Sequence, residues 1–189
     1  MNDFERSLTV LRDARVHFVI IGGVAAAAHG STYLTLDLDL CYERSPINLR
    51  LLAEALRPFH PRLRGAPDDL PFHFDSATIS HGMNFTLTTD LGDLDLFGEV
   101  TGIGPYEAVR AMAITVELFG RSHDVLSLEG LIRSKRAAGR AKDLLVLPEL
   151  EALGEIQPQL GHGQKAEPRK DDKDQLRPPE DEGETNAQR

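Results

Sequence analysis

The chain contains a single cysteine, Cys41, so no intrachain disulfide can brace the fold. Nothing around it suggests a depressed thiol pKa, and it reads as a small buried residue rather than a nucleophile. No run approaches the roughly 18 apolar residues a membrane helix needs, which speaks against a membrane protein. The stretch from Met1 to Arg6 brings acids early and lacks an apolar signal core, so export is not expected and the cytoplasm is the expected location. Positive charge is in short supply: 21 Lys and Arg against 30 Asp and Glu leave a net charge of -9 at pH 7. That balance argues against coating nucleic acid through a general positive field. The bases gather instead in two runs, Arg57, His60, Arg62 and Arg64, then Arg133, Lys135, Arg136, Arg140 and Lys142, and either could form a local patch.

With 189 residues, 41% of them hydrophobic, there is enough chain for one domain with a real core. The composition changes near residue 156. Beyond it large apolar residues almost vanish and Pro, Gly and charge mix, as in Pro178-Pro179-Glu180-Asp181-Glu182. The expectation is a domain over residues 1–155 and a disordered, dispensable tail over 156–189, because such a segment cannot bury enough apolar area to offset its ordering entropy.

Within the domain, Phe4, Leu8 and Leu11 recur at helical spacing and predict a helix over residues 3–14. His17 to Ile21 reads as a short buried strand stopped by Gly22-Gly23, and the alanine-rich run to Ala28 as a helix closed by Gly30-Ser31. Leu36 to Tyr42 alternates apolar and acidic side chains and predicts a half-polar strand. Ser45-Pro46 opens a helix that Pro58 ends. Residues 58–82, with Pro61, Pro67 and Pro71 and scattered aromatics, give no period and are expected to be mostly irregular. Residues 84–89 and 93–98 flank Asp90-Leu91-Gly92 and predict a hairpin. A short helix near Tyr106, strands over 114–118 and 123–126, a helix capped by Ser127, and a last helix over 141–153 complete the reading. The fold class is α+β, a mixed sheet with helices largely on one side and C-terminal helices.

Asp37 and Asp39 stand two apart in a strand, so both carboxylates leave one face while Leu36, Leu38 and Leu40 take the other. An exposed edge strand with solvated acids is the plain explanation. A chemical one is that two like charges disfavour each other's ionisation unless a cation lies between them, and Mg2+ prefers one or two carboxylates completed by water and substrate phosphates. Gly22-Gly23, closing a strand and opening a helix, lets backbone amides approach a phosphate. Histidines 60, 73 and 81 match no compact zinc motif.

The string Ile21-Gly22-Gly23, a gap of thirteen residues, Asp37-Leu38-Asp39-Leu40 and then Leu94-Asp95-Leu96 resembles the signature of the polymerase-beta nucleotidyltransferase superfamily. The resemblance implies a nucleotidyltransferase fold, one or two Mg2+ ions, a nucleoside triphosphate substrate such as ATP, and transfer of a nucleoside monophosphate to RNA, protein or a small acceptor. Asp37, Asp39 and Asp95 would be the catalytic, metal-holding acids. Asp93 shares a face with Asp95 and is the alternative third acid, less favoured because it follows the turn. The stretch from Ser134 to Leu144 looks like the Lys and Arg-Lys-Asp segment of small bacterial nucleotidyltransferases, including abortive-infection toxins, which brings in a possible antitoxin partner. Lys135 and Lys142 would share a face if the helix runs past Gly139, and could hold triphosphate or RNA, with Asp143 paired to Arg140 or Lys142. Gly22, Gly23, Ser31 and Thr35 would complete the nucleotide site. One departure stands out: many relatives carry an Arg shortly before the acidic pair, at the place of Tyr33, and here no Arg or Lys occurs between Arg15 and Arg44. A nucleotidyltransferase fold kept as a binding or antitoxin module, with inert acids, is the rival reading. A Rossmann-type site is disfavoured because Gly22-Gly23 lacks the third glycine.

Overall fold

The computed structural model describes residues 3–67 and 70–156. Helix α1 (Phe4–Asp13) begins where the Asp3 side chain accepts a hydrogen bond from the Arg6 N–H, and it buries Leu8 and Leu11. Strand β1 (Phe18–Ile20) is buried throughout. Helix α2 (Gly22–Ala28) starts on the glycines rather than after them, because Gly22 takes φ +61° and turns the chain straight from strand into helix. Strand β2 (Asp37–Tyr42) follows, then α3 (Pro46–Leu56), whose cap Ser45 accepts from the Asn48 N–H.

Residues 58–82 are less irregular than their prolines imply. They hold β3 (Arg62–Leu63) and α4 (Ser76–His81). The Asp75 carboxylate caps α4 by accepting from the Thr78 N–H, a local signal hidden by the aromatics around it. Strand β3 owes its existence to a partner distant in sequence, β4 (Asn84–Thr89), which forms the expected hairpin with β5 (Gly92–Phe97). Two short strands, β6 (Glu99–Val100) and β7 (Gly104–Pro105), pair apart from the main sheet. Next come α5 (Tyr106–Ala111), β8 (Ala113–Leu118), β9 (Arg121–Leu126), α6 (Leu128–Ala138) and α7 (Ala141–Ile156). The tail expected to be disordered lies, from residue 157 on, outside the described residues.

The main sheet has the order β3-β4-β5-β2-β1-β9-β8. It is mixed: β2 runs parallel to β5, and β1 parallel to β9, while the other neighbours are antiparallel. The fold is therefore α+β, as expected. Leu38 and Leu40 of β2 and Leu94 and Leu96 of β5 are buried in one continuous apolar core. Each such leucine contributes roughly 1.5–3 kcal/mol by leaving water, which fixes which face of the two strands looks outward. Leu36 does not join them. Pairing of β2 with β5 begins at Asp37 opposite Asp93, and Leu36 lies before it, 80% exposed. Cys41 is buried, and that burial pushes its thiol pKa up to about 12, so it is no nucleophile. No helix among the described residues is long and apolar enough to cross a membrane.

Candidate active site

The register of β2 against β5 sets Asp37 beside Asp93 and Asp39 beside Asp95, so burying the leucines of both strands forces four aspartates onto the opposite face. Like charges directly across strands repel, and the array is held together by specific partners. Thr35 donates its hydroxyl to the Asp37 carboxylate at 2.7 Å, and Thr88 donates to Asp93 at 2.9 Å. The backbone N–H of Gly23 donates to the Asp39 carboxylate. The glycines belong to the site because of closeness: a Cβ on Gly22 would lie 1.9 Å from Asp39 Oδ2, and one on Gly23 would lie 2.4 Å from the Thr35 Cβ. Gly22 and Gly23 thus seat Asp39 and Thr35 against the start of α2.

Asp37, Asp39 and Asp95 each present an oxygen within 4.8 Å of the others. Asp93 sits alongside this trio, bonded to Thr88 and facing Arg64. Burial, then the neighbouring charges of Asp37 and Asp95, push the Asp39 pKa up to about 7. Burial also raises Asp95, against the opposing pull of Arg64. Crowded carboxylates that resist ionisation and offer only hard oxygen donors fit a divalent cation such as Mg2+. Among the described residues no other group of three or more His, Cys, Asp and Glu side chains converges in this way.

The cation that reaches the acids comes from a segment expected to be irregular. Arg64, just past β3, places Nη2 2.7 Å from Asp95 Oδ1, Nη1 3.7 Å from Asp37 Oδ2 and Nε 3.3 Å from Asp93 Oδ2. The Nε is buried and lacks the alignment of a true hydrogen bond to Asp93. Its backbone N–H donates to Thr86 O and Nη2 also donates to Leu87 O, so the β3–β4 pairing delivers the side chain to the site. The sequence showed Arg64 only as a member of a basic run; the pairing that aims it is long-range.

The basic helix is not continuous. Gly139 takes φ +61° and ends α6, so Lys135 and Lys142 stand on different helices and do not share one helical face. Lys135 Nζ lies 3.2 Å from Asp143 Oδ1 and Arg140 Nε 2.6 Å from Asp143 Oδ2. Asp143 therefore pairs with Arg140, as one of the expectations had it, and with Lys135 in place of Lys142. Lys142 is the lysine whose charge acts on Asp39 and Asp95. Ser31 is engaged elsewhere: its hydroxyl donates to Glu149 at 2.6 Å, and Glu149 also accepts from the Thr32 N–H and hydroxyl, strapping the loop before β2 to α7. His29 is a packed residue with Nε2 2.9 Å from Leu126 O, and burial lowers its pKa.

Asp143 is 1% exposed, and although burial raises its pKa, the hydrogen bonds from Arg140 and Lys135 outweigh that and hold it below the usual carboxylate range. Its stabilising contribution is therefore present above the ordinary Asp pKa and lost as pH falls through the depressed one. Asp143→Asn is expected to destabilise the fold by about 2–3 kcal/mol, below the range for breaking a fully buried pair because Arg140 is largely exposed. It should also flatten the acid limb of a melting-temperature profile. Transfer activity should fall less than in Asp37→Asn; equal losses would make Asp143 part of the reacting cluster.

No protein-family model matches the chain, and no curated protein matches it. Solved structures do. A protein from Thermotoga maritima assigned to the nucleotidyltransferases superposes with a TM-score of 0.52 at 17% identity, covering 80% of this chain and 96% of that one. The lincosamide antibiotic adenylyltransferase LnuA, with lincomycin bound, superposes with a TM-score of 0.54 at 12% identity, again covering 80% and 96%. At such identities the likeness is one of architecture. The chain shares the nucleotidyltransferase fold of these two structures.

Proposed function

We propose that this protein is a divalent-metal-dependent nucleotidyltransferase that moves a nucleoside monophosphate from a nucleoside triphosphate to a hydroxyl of RNA, protein or a small molecule. The observation that carries the reading is the convergence of Asp37, Asp39 and Asp95 on one face beside Gly22. A bound Mg2+ would supply Lewis-acid stabilisation of the charge that develops on the phosphate oxygens. Asp37, oriented by Thr35, and Asp39, seated on the Gly23 amide, would hold it together with Asp95. In the transfer an acceptor oxygen bonds to the α-phosphorus, the bond to pyrophosphate breaks, and the acceptor proton leaves. Asp95, the acid of the trio carried by the neighbouring strand β5, would take that proton. Lys142, whose charge acts on Asp39 and Asp95, would offer positive charge to the phosphates. A cytoplasmic setting goes with this reading. The toxin/antitoxin setting implied by the sequence resemblance gains no support from the two neighbours.

One observation favours the rival, a binding module with inert acids: Arg64 already neutralises part of the cluster. Incubation with each α-labelled triphosphate and fractions of cell extract decides between them. Label is expected to pass to an acceptor with Mg2+ present, and to stay on the triphosphate after chelation or in Asp37→Asn. No transfer from any triphosphate to any fraction would leave the binding module standing.

A further inference from the structure

Arg64 touches three of the four aspartates, and two of these, Asp37 and Asp95, belong to the trio best placed for a metal. A guanidinium held against Asp37 and Asp95 already neutralises part of the negative charge that a divalent cation would need, and the two cations repel each other, so each weakens the binding of the other. The structure thus holds a competitor for the metal inside the metal's own ligand set. Arg64 is also able to withdraw without leaving the site. It sits just past a two-residue strand at the edge of the sheet, its side chain is 28% exposed, and its backbone stays pinned by the Thr86 carbonyl. Once displaced, a partly buried guanidinium needs another anion, and its planar fork matches phosphate oxygens. No Arg or Lys lies between Arg15 and Arg44, the stretch that brings Gly22-Gly23, Asp37 and Asp39 to the site.

We propose that Arg64 alternates between two anions: the aspartate cluster when no divalent cation is bound, and the triphosphate of the substrate once a cation has taken the carboxylates. Metal and triphosphate then bind cooperatively, because each removes the partner that Arg64 would otherwise hold. The assignment rests on the reading of the trio as a metal site.

Manganese is the probe, with free Mn2+ read by electron paramagnetic resonance in the parent, Arg64→Gln and Arg64→Lys. Arg64→Gln is expected to bind Mn2+ alone roughly tenfold more tightly, the size of one hydrogen bond to a charged group. It should bind the manganese complexes of α,β-methylene ATP, CTP, GTP and UTP more weakly by a similar factor, read by thermal shift. Arg64→Lys, with the charge but not the fork, should fall between the two for Mn2+ alone and stay weak for the triphosphates. Melting curves establish that each variant is folded, and the lysine variant carries the same comparison if the glutamine one is not. Equal Mn2+ affinity in the parent and the variants, or unchanged triphosphate affinity, overturns the assignment of Arg64 while leaving the metal site intact. If no form binds Mn2+, with or without a triphosphate, the metal reading falls and the Arg64 proposal with it.

Discussion

Asp39→Asn is expected to abolish nucleotide transfer while raising the melting temperature of the protein kept free of metal. The two effects have one cause. Asp39 is half-buried against Gly22, with Asp37 and Asp95 close enough to oppose its ionisation, and its pKa rises from 3.8 to about 7. Its folded pKa lies above the unfolded value, so folding favours the protonated form. The stability Asp39 contributes is fully present below pH 3.8 and is lost as pH rises through about 7. In the parent without metal, melting temperature should therefore fall between about pH 4 and pH 7 and level off above. Removing the charge should recover on the order of 1–2 kcal/mol at pH 8, after allowance for solvent screening. Added Mg2+ should stabilise the parent more at pH 8 than at pH 6, since the ligand must be ionised, and should not stabilise Asp39→Asn. Activity should drop by more than the roughly 10–100-fold that removing a ligand's hydrogen-bond partner costs, so Thr35→Val, which leaves Asp37 in place but unguided, should be milder. A variant Asp39→Asn that transfers nucleotide normally would remove the carboxylate trio as the site.

Gly22→Ala should damage both fold and activity, and a control can separate the two causes. A non-glycine residue at φ +61° costs about 1–2 kcal/mol by itself. The added methyl would also meet Asp39 Oδ2 at 1.9 Å, so the carboxylate has to move. Gly120, at φ +69° in the turn between β8 and β9, has no atom within 4 Å of an added Cβ. Gly120→Ala should carry the backbone penalty alone and leave transfer unchanged. Gly22→Ala should lose about a hundredfold or more in kcat, the loss expected for a misplacement of about 1 Å at reacting groups. Its melting temperature should fall at least as far as that of the control. Full activity in Gly22→Ala would mean that Asp39 tolerates displacement and is not part of the reacting cluster.

Much of this arrangement was written in short-range patterns. Alternation in Asp37-Leu38-Asp39-Leu40 and in Asp93-Leu94-Asp95-Leu96 already divides an acidic face from an apolar one, because side chains alternate across a strand and leucines must leave water. Gly22-Gly23 marks the turn from strand into helix, and Asp3, Ser45 and Ser127 mark helix starts, since each cap acts within three residues of itself. Other features depend on partners far along the chain. Leu36 leaves the core because pairing with β5 begins one residue later. Arg64 reaches the acids because a two-residue strand pairs with β4 more than twenty positions away. The lysines part company because Gly139 turns the chain back, which lets Asp143 gather Lys135 and Arg140 while Lys142 serves the acids. The sequence alone thus determined which residues carry negative charge and on which face of their strands. Only the tertiary structure decided which positive charges meet them, because a strand's period is a local property whereas ion pairs are made by whatever the fold brings within a few ångströms.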